Sequence, residues 1–454
     1  MAVGPADRQK PGQTCLHILL LWFKRKMEVC HVGVFSIAGG RRLRGEVTIG
    51  GAKNALLPIL AATMLTGGEV ILDNCTRLSD CENMLRILRT LGCAVERRDE
   101  SVCVDSRGAQ GWEMSESLSK QLRSSIFMLG PILGRFRKAS VTYPGGCEIG
   151  LRPIDLHLKG LRALGVEIHE ARGRILCDGS RLHGGEVQLD FPSVGATENV
   201  MMAAVLAPGE TVISNAAREP EIVDLQNFLR AMGAKVHGAG QDVISIEGVK
   251  KLHGARYAVM PDRIVAGTLL AAAAITHGEV CLKNARPDDL RAVLDKLSQA
   301  GCLIESGADF IRLSAEGRAL RAVNLSTQPY PGFPTDMQAQ FMALCTVAEG
   351  TSLIVENVFE NRFAHAAQLR RMGADILVHQ RAAIVRGGSL SGAQVEARDL
   401  RGGAALVLAA LAAEGESRVE RVELIDRGYE ALETTLADLG ASIRREEQTG
   451  EEER

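Results

Sequence analysis

The sequence predicts an α/β protein of two similar halves, each with sheets outside and apolar helices packed within. Three observations predict it. First, a helix-like segment closing on Gly and followed by a β-rich run occurs six times. The endings are Leu91-Gly92-Cys93-Ala94-Val95, Leu164-Gly165-Val166-Glu167-Ile168, Met232-Gly233-Ala234-Lys235-Val236, Ala300-Gly301-Cys302-Leu303-Ile304, Met372-Gly373-Ala374-Asp375-Ile376 and Leu439-Gly440-Ala441-Ser442-Ile443. They recur roughly every 70 residues, too long a period for a simple solenoid. Second, five endings follow a turn: Gly68-Glu69-Val70, Gly209-Glu210-Thr211, Gly278-Glu279-Val280, Gly350-Thr351-Ser352 and Gly415-Glu416-Ser417. Each turn closes a segment rich in Ala, Leu and Met on all sides, and a helix that is apolar all round is a buried one. Third, the chain is 46% hydrophobic but only 4% aromatic, so the core must be aliphatic. Six units are too many for one doubly wound sheet, and they divide into two sets of three.

The chain begins with an apolar run, Leu16 to Phe23, followed by Lys24-Arg25-Lys26. The run is shorter than the about 20 residues a bilayer demands. It also lacks the charged start and small-residue cleavage site of a signal peptide. Residues 1–26 are therefore expected to be a disordered or mis-started extension, with no stable membrane insertion. The apolar helices follow at 54–65, 196–207, 266–276, 338–348 and 402–413. Second helices, such as 289–300 and 368–372, carry charge on one face and are expected to be half exposed. Each unit reads β-α-β-α-β-β, and each recurring Gly is the expected residue just past a helix end. The junctions fall near Gly51 and Met260-Pro261. One domain is expected to comprise 27–52 plus 261–454, the other 53–260, with the chain crossing between them twice.

Composition narrows the function. Net charge is −2, and the 53 Lys and Arg are scattered without interleaved aromatics, which argues against a nucleic-acid surface. The 11 cysteines are dispersed and form no C-x-x-C pair. That suits a reducing cytoplasm, without a disulfide frame or a metal site. No cofactor is expected.

Several motifs carry chemistry. Gly50-Gly51-Ala52-Lys53-Asn54-Ala55 opens a buried helix, where free N–H groups, a positive dipole end and an ammonium converge as an anion requires. Alone, it is more readily a solvated Lys at a helix start. Ser119 to Ser125 opens another apolar helix, with Arg123 in reach of a phosphate or merely on the surface. Tyr143-Pro144-Gly145-Gly146-Cys147 is a bending loop with a thiol at its tip. Arg152, Pro153, Ile154, Asp155, Leu156 and His157 follow, and a guanidinium near a thiol favours thiolate. On spacing alone it is equally a turn with an incidental Cys. Ser193, Val194 and Gly195 lead into a buried helix, as a diphosphate or base-edge contact or simply a cap. Before the apolar helix at 338–348, Thr335 or Asp336 reads as an N-cap, or Asp336 as a base facing a cleft. Finally, Glu360-Asn361-Arg362, Asp399-Leu400-Arg401 and Asp426-Arg427 each set an Arg beside a carboxylate at equivalent places in successive units. Singly each is a local ion pair. Together with Lys53 and Arg152 they suggest cations facing one highly charged small substrate.

These motifs, with Ala217-Arg218-Glu219-Pro220-Glu221-Ile222 and Asp426-Arg427-Gly428-Tyr429, resemble the UDP-N-acetylglucosamine 1-carboxyvinyltransferases, from about Leu43 to Ile443. The resemblance implies two inside-out α/β barrel domains, each of three β-α-β-α-β-β repeats. It implies transfer of the enolpyruvyl group of phosphoenolpyruvate to the 3′-hydroxyl of UDP-N-acetylglucosamine, by addition and elimination, with loss of phosphate. It implies Cys147 as the acid, as a site of covalent adduct formation and as the target of fosfomycin, and Asp336 as the acceptor of the hydroxyl proton. Lys53, Arg152, Arg401 and Arg427 would neutralise phosphoenolpyruvate, with Asn54 positioning the intermediate. Arg123, Arg152, Pro153, Ile154, Asp155, Leu156, Ser193, Val194, Gly195, Asp336 and Val358 would line the UDP-sugar pocket. Phe191 and Val265 depart from the family pattern, which carries a basic and an acidic residue there. The rival with the same donor, enolpyruvylshikimate phosphate synthase, lacks the Cys-tipped loop. A non-catalytic UDP-sugar-binding paralogue should have lost Cys147 or Asp336.

Overall fold

The computed structural model describes residues 32–114, 116–121, 123–143, 154–171 and 173–448. The helices are α1 (Lys53–Ala62), α2 (Ser79–Thr90), α3 (Glu116–Gln121), α4 (Leu129–Phe136), α5 (Asp155–Ala163), α6 (Val194–Ala204), α7 (Pro220–Ala231), α8 (Arg263–Ile275), α9 (Arg291–Gln299), α10 (Gln338–Cys345), α11 (Ala364–Arg371), α12 (Leu400–Ala412) and α13 (Leu432–Asp438). They fall into two classes, as the composition of the segments predicts. Helices α1, α4, α6, α8, α10 and α12 are buried along almost their whole length. The others bury one face and hold charged residues on the other.

Two separate aliphatic cores result. One is drawn from residues between Ala52 and Met260, the other from Phe35 to Ile49 together with Ile264 to Ala441. In the first, α4 packs on α6; in the second, α10 and α8 pack on α12. Helices lie inside and sheets outside, the arrangement implied by the sequence.

The sheets repeat one topology. In the clearest case β18 (Thr351–Val355) lies between β17 (Leu325–Ser326), to which it is parallel, and β20 (Ala382–Arg386), to which it is antiparallel. Strand β19 (Asp375–His379) forms the far edge. Among the described residues five sheets have four strands in this order, and a sixth has three, with an isolated parallel bridge from Glu113 to Ser140 where the lead strand belongs.

Two of the units are assembled from separated stretches of chain. Strand β2 (Arg44–Thr48) precedes α1 in sequence but pairs with β14 (Glu279–Lys283), which follows α8. Strand β13 (Arg256–Ala258) precedes α8 but pairs with β3 (Glu69–Asp73), which follows α1. A lead strand must run parallel to the first strand of its own unit, so the chain exchanges lobes between strand and helix. The exchange occurs where Gly51 bridges Pro261. The sixth unit is completed by β1 (Val32–Ala38), which lies between β22 (Glu416–Glu420) and β23 (Ser442–Gln448).

All six recurring glycines have positive φ, between 82° and 100°. There a side chain would collide with the following carbonyl, so Gly ends these helices.

Candidate active site

The site is built where the buried helices of both lobes begin. One carboxylate organises the crossover. Asp262 Oδ1 accepts from the N–H groups of Ile264 at 2.8 Å and Val265 at 2.9 Å, capping α8. Its Oδ2 accepts from Lys53 N at 3.0 Å, at the start of α1 in the other lobe. Lys53 and Asn54 are thereby held at the junction.

Two carboxylates gather four cations. Asp80, in the first turn of α2, receives Lys53 Nζ at 2.6 Å and Arg427 Nε at 3.0 Å. Burial pushes the Asp80 carboxyl up, and Lys53 and Arg427 outweigh it, leaving it below the usual carboxylate range. Asp336 receives Arg362 at 2.9 Å and Arg401 at 3.1 Å, and Asn54 Nδ2 lies 3.5 Å from its Oδ2. Asn54 thus joins the two groups. Lys53, Arg362 and Arg401 are buried, whereas Asp336 retains a quarter of its side-chain exposure. Arg362 Nε and Arg401 Nε and NH1 are buried without a hydrogen-bond partner among the described residues. Four cations against two carboxylates, with buried donors to spare, make a site for an anion.

Polar groups behind the site hold it in place. Arg401 lies 5.3 Å from the ring centroid of Tyr429. The Tyr429 hydroxyl meets Thr268 at 2.9 Å and Gln340 Nε2 at 3.1 Å, and Gln340 also donates to the Asp336 carbonyl at 2.9 Å. Fully buried Glu356 ties two loops together. Its carboxylate accepts from Thr335 Oγ1 at 3.0 Å, Val358 N at 2.9 Å and Phe359 N at 3.0 Å. Thus neither Thr335 nor Asp336 supplies a side-chain N-cap, as the sequence suggested. Both are diverted to tertiary partners, Glu356 and the guanidiniums. The local Arg–carboxylate pairs are also replaced. Asp399 caps α12, Asp426 binds Arg445 and Glu360 binds Arg381, which leaves Arg362, Arg401 and Arg427 to Asp336 and Asp80.

The segments expected around the nucleotide sugar meet in the first lobe. The stretch 119–125 does not open one apolar helix. It forms the end of α3 and a 3-10 turn, Arg123–Met128, ahead of α4. Ser193 Oγ accepts from Ala196 N at 3.4 Å, so it caps α6. A Cβ on Gly195 would lie 2.9 Å from the His157 ring and 3.1 Å from Phe127, so only Gly allows this approach. Asn199 binds all three parts, donating to His157 Nδ1 at 2.7 Å and Ile126 O at 3.0 Å and accepting from Gly130 N at 2.8 Å. Ile154 and Leu156 are half-buried here, Asp155 and Phe191 are exposed, and Val358 is half-buried in the other lobe. Cys147, Arg152 and Pro153 lie outside the described residues, as do residues 1–26. Among described cysteines, burial pushes Cys75 up to about 12 and Cys93 up to about 11, far from a thiolate. No group of three His, Cys, Asp or Glu among the described residues is placed to hold a metal ion. No described helix is long and apolar enough to cross a membrane.

Sequence reasoning missed Asp80, Arg362's partner and Glu356. An acidic residue in a first helical turn is ordinary, so Asp80 gives no local signal.

The sequence pattern of EPSP synthase (3-phosphoshikimate 1-carboxyvinyltransferase) matches residues 37–436. The UDP-N-acetylglucosamine 1-carboxyvinyltransferase 2 of Caldanaerobacter subterraneus subsp. tengcongensis is 52% identical over 413 residues, covering 91% of this chain and 99% of that one. The chain belongs to the UDP-N-acetylglucosamine 1-carboxyvinyltransferases. A further 1-carboxyvinyltransferase of this kind, from Dichelobacter nodosus, is 51% identical over 90% of this chain and 98% of its own. The 1-carboxyvinyltransferase fold is shared with the enolpyruvyl transferase NikO from Streptomyces tendae, at TM-score 0.83 and 25% identity, covering 92% of this chain and 100% of that one. The EPSP synthase of Acinetobacter baumannii superposes at TM-score 0.71 and 20% identity, over 91% and 100%. Two inside-out lobes are thus the fold of this 1-carboxyvinyltransferase, and the candidate site described above lies at their junction.

Proposed function

We propose that the protein transfers the enolpyruvyl group of phosphoenolpyruvate to the 3′-hydroxyl of UDP-N-acetylglucosamine, releasing phosphate. This is the first committed step of peptidoglycan precursor synthesis, and its substrates place it in the cytoplasm. The observation that carries the reading is 52% identity across nearly the whole length of a relative bearing that activity in its name.

In the addition step the acceptor oxygen bonds to C2 of phosphoenolpyruvate, its proton passes to Asp336, and Cys147 delivers a proton to C3. In the elimination step the C2–O bond to phosphate breaks and C3 returns a proton to the Cys147 thiolate, restoring the vinyl group. Lys53, Arg152, Arg401 and Arg427 hold the donor's phosphate and carboxylate, and Asn54 holds the adduct. The grouping of Lys53 with Arg427 and of Arg401 with Asp336 and Asn54 supports these roles. Fixed cations aimed at a trianion act without reorganising during the reaction. Arg123, Arg152 to Leu156, Ser193 to Gly195, Asp336 and Val358 surround the nucleotide sugar. The domain boundaries we assign are 52/53 and 260/261, at the switch between the two cores.

The test is phosphate release from phosphoenolpyruvate with UDP-N-acetylglucosamine, and separately with shikimate 3-phosphate. Release with the nucleotide sugar alone, abolished by Cys147→Ala and by fosfomycin, is the expected result. Release with shikimate 3-phosphate, or with neither acceptor, overturns it.

A further inference from the structure

A second polar cluster joins the lobes at the residue that follows Asp262. Arg263, the first residue of α8, pairs with Glu221 in the first turn of α7, Nε to Oε1 at 2.9 Å and NH2 to Oε2 at 3.2 Å. Helix α7 belongs to the first core and α8 to the second. Both side chains are more than nine-tenths buried. Burial works against the Arg263 charge, and the Glu221, Glu219 and Asp336 carboxylates outweigh it.

The pair supports a loop. The Arg263 guanidinium lies 5.7 Å from the ring centroid of Tyr330. This is within reach of a cation–π contact. Glu219, two residues before Glu221, accepts from Tyr330 N at 3.3 Å. Tyr330 therefore has its ring held from one lobe and its N–H from the other. The loop folds on itself through Gln328 N to Phe333 O at 3.0 Å and Gly332 N to Pro329 O at 2.9 Å. It then runs through Phe333 and Pro334 into Asp336.

We infer that Glu219, Glu221 and Arg263 are positioning residues for Asp336, acting through Tyr330. The inference rests on the reading of Asp336 as the proton acceptor. Asp336 is held by Arg362 and Arg401 of its own lobe, and from the other lobe Asn54 Nδ2 reaches its Oδ2 only at 3.5 Å. The Tyr330 loop sets its position along the direction that joins the lobes. The proton acceptor is then correctly placed only when the corner between α7 and α8 is closed, which links the lobe bearing the nucleotide-sugar segments to the base.

The test uses the full chain with phosphoenolpyruvate and UDP-N-acetylglucosamine, with kcat per folded enzyme and both KM values measured for Tyr330→Ala, Tyr330→Phe, Glu221→Gln and Asp336→Ala. A misplacement of about 1 Å costs up to about 100-fold, so Tyr330→Ala and Glu221→Gln are expected to lower kcat about 10- to 100-fold while each KM moves less than about threefold. Tyr330→Phe keeps the ring and the N–H and is expected to restore kcat to within about twofold of the parent. Tyr330 is only half-buried, so its variants carry the test even if Glu221→Gln fails to fold. An inactive Asp336→Ala beside a fully active Tyr330→Ala overturns the positioning role alone. An active Asp336→Ala overturns the base assignment, and the inference with it.

Discussion

Asp80 holds Lys53 and Arg427 with a single buried carboxylate, and the two cations come from different lobes. Removing it leaves an ammonium buried beside a guanidinium. Such a loss costs about 3–5 kcal/mol where a pair is fully desolvated. Asp80→Ala is therefore expected to destabilise the fold by several kcal/mol in urea titration and to abolish turnover, since Lys53 loses its anchor. Asp80→Asn keeps the shape without the charge and should recover part of the stability but little activity. Glu198 is the reverse case. It is completely buried and both carboxylate oxygens lack a partner among the described residues. Burial, then Glu221 and Glu219, push its carboxyl well above the usual range. The folded chain thus keeps a proton that the unfolded chain sheds above about pH 4.5, and stability falls as pH rises past that point. Glu198→Gln removes the penalty. It is expected to raise the thermal midpoint by a few degrees at pH 8 and to leave it unchanged near pH 4. A drop at pH 8 would show that the carboxylate is ionised and paired.

At the scale of elements, the recurring helix-ending glycines differ in what surrounds them. Gly373 has φ 93°, and a Cβ there would meet Ser389 O only at 3.7 Å, an ordinary contact. Gly92 has φ 94°, and its Cβ would lie 2.8 Å from Gly108 O, which is backbone and cannot swing aside. Gly373→Ala should cost about 1 kcal/mol, the backbone term alone. Gly92→Ala should cost distinctly more, and equal midpoints in urea would refute the distinction. These glycines were legible because the backbone conformation they serve excludes other residues, whatever the rest of the chain does. The pairing of β2 with β14 and of β13 with β3 was not. Both strands look like any short lead strand, and parallel partners carry no local signature. The same holds in the site. Lys53, Asn54 and the α1 start announce themselves by composition. The capture of Arg362 and Arg401 by Asp336 instead depends on three loops meeting in space, and Asp399, which adjoins Arg401 in sequence, is occupied as a helix cap.

For the whole molecule, acid sensitivity is spread over both lobes. Burial holds His157, in the first lobe, and His365, in the second, down at about 4. The folded protein therefore refuses protons that the unfolded chain accepts below about pH 6.5. The resulting stability is full above pH 6.5 and lost as pH falls towards 4, about 3 kcal/mol for each ring. Asp224 acts oppositely. Burial raises it to about 6, so its contribution weakens as pH rises from about 4 to 6. The two rings thus favour a rise of stability between pH 4 and 6.5, and Asp224 and Glu198 oppose it. His157→Asn removes one ring, so its urea midpoint is expected to rise less, or fall more, over this range than that of the parent; equal pH slopes in the two proteins would contradict it.

The exchange of strands also bears on the order in which the chain is made. Among the described residues β1 pairs with β22 and β23, which are synthesised long after it. The next, β2, waits for β14. In the meantime the core between Ala52 and Met260 is synthesised as one uninterrupted stretch. That lobe can close while the early strands hang in front of it with unpaired edges, a period of about 20 seconds or more at ordinary rates of synthesis. The lobe that holds β1 and β2 is finished only after the other has been made, and these two strands are the ones a nascent-chain chaperone has most reason to shelter.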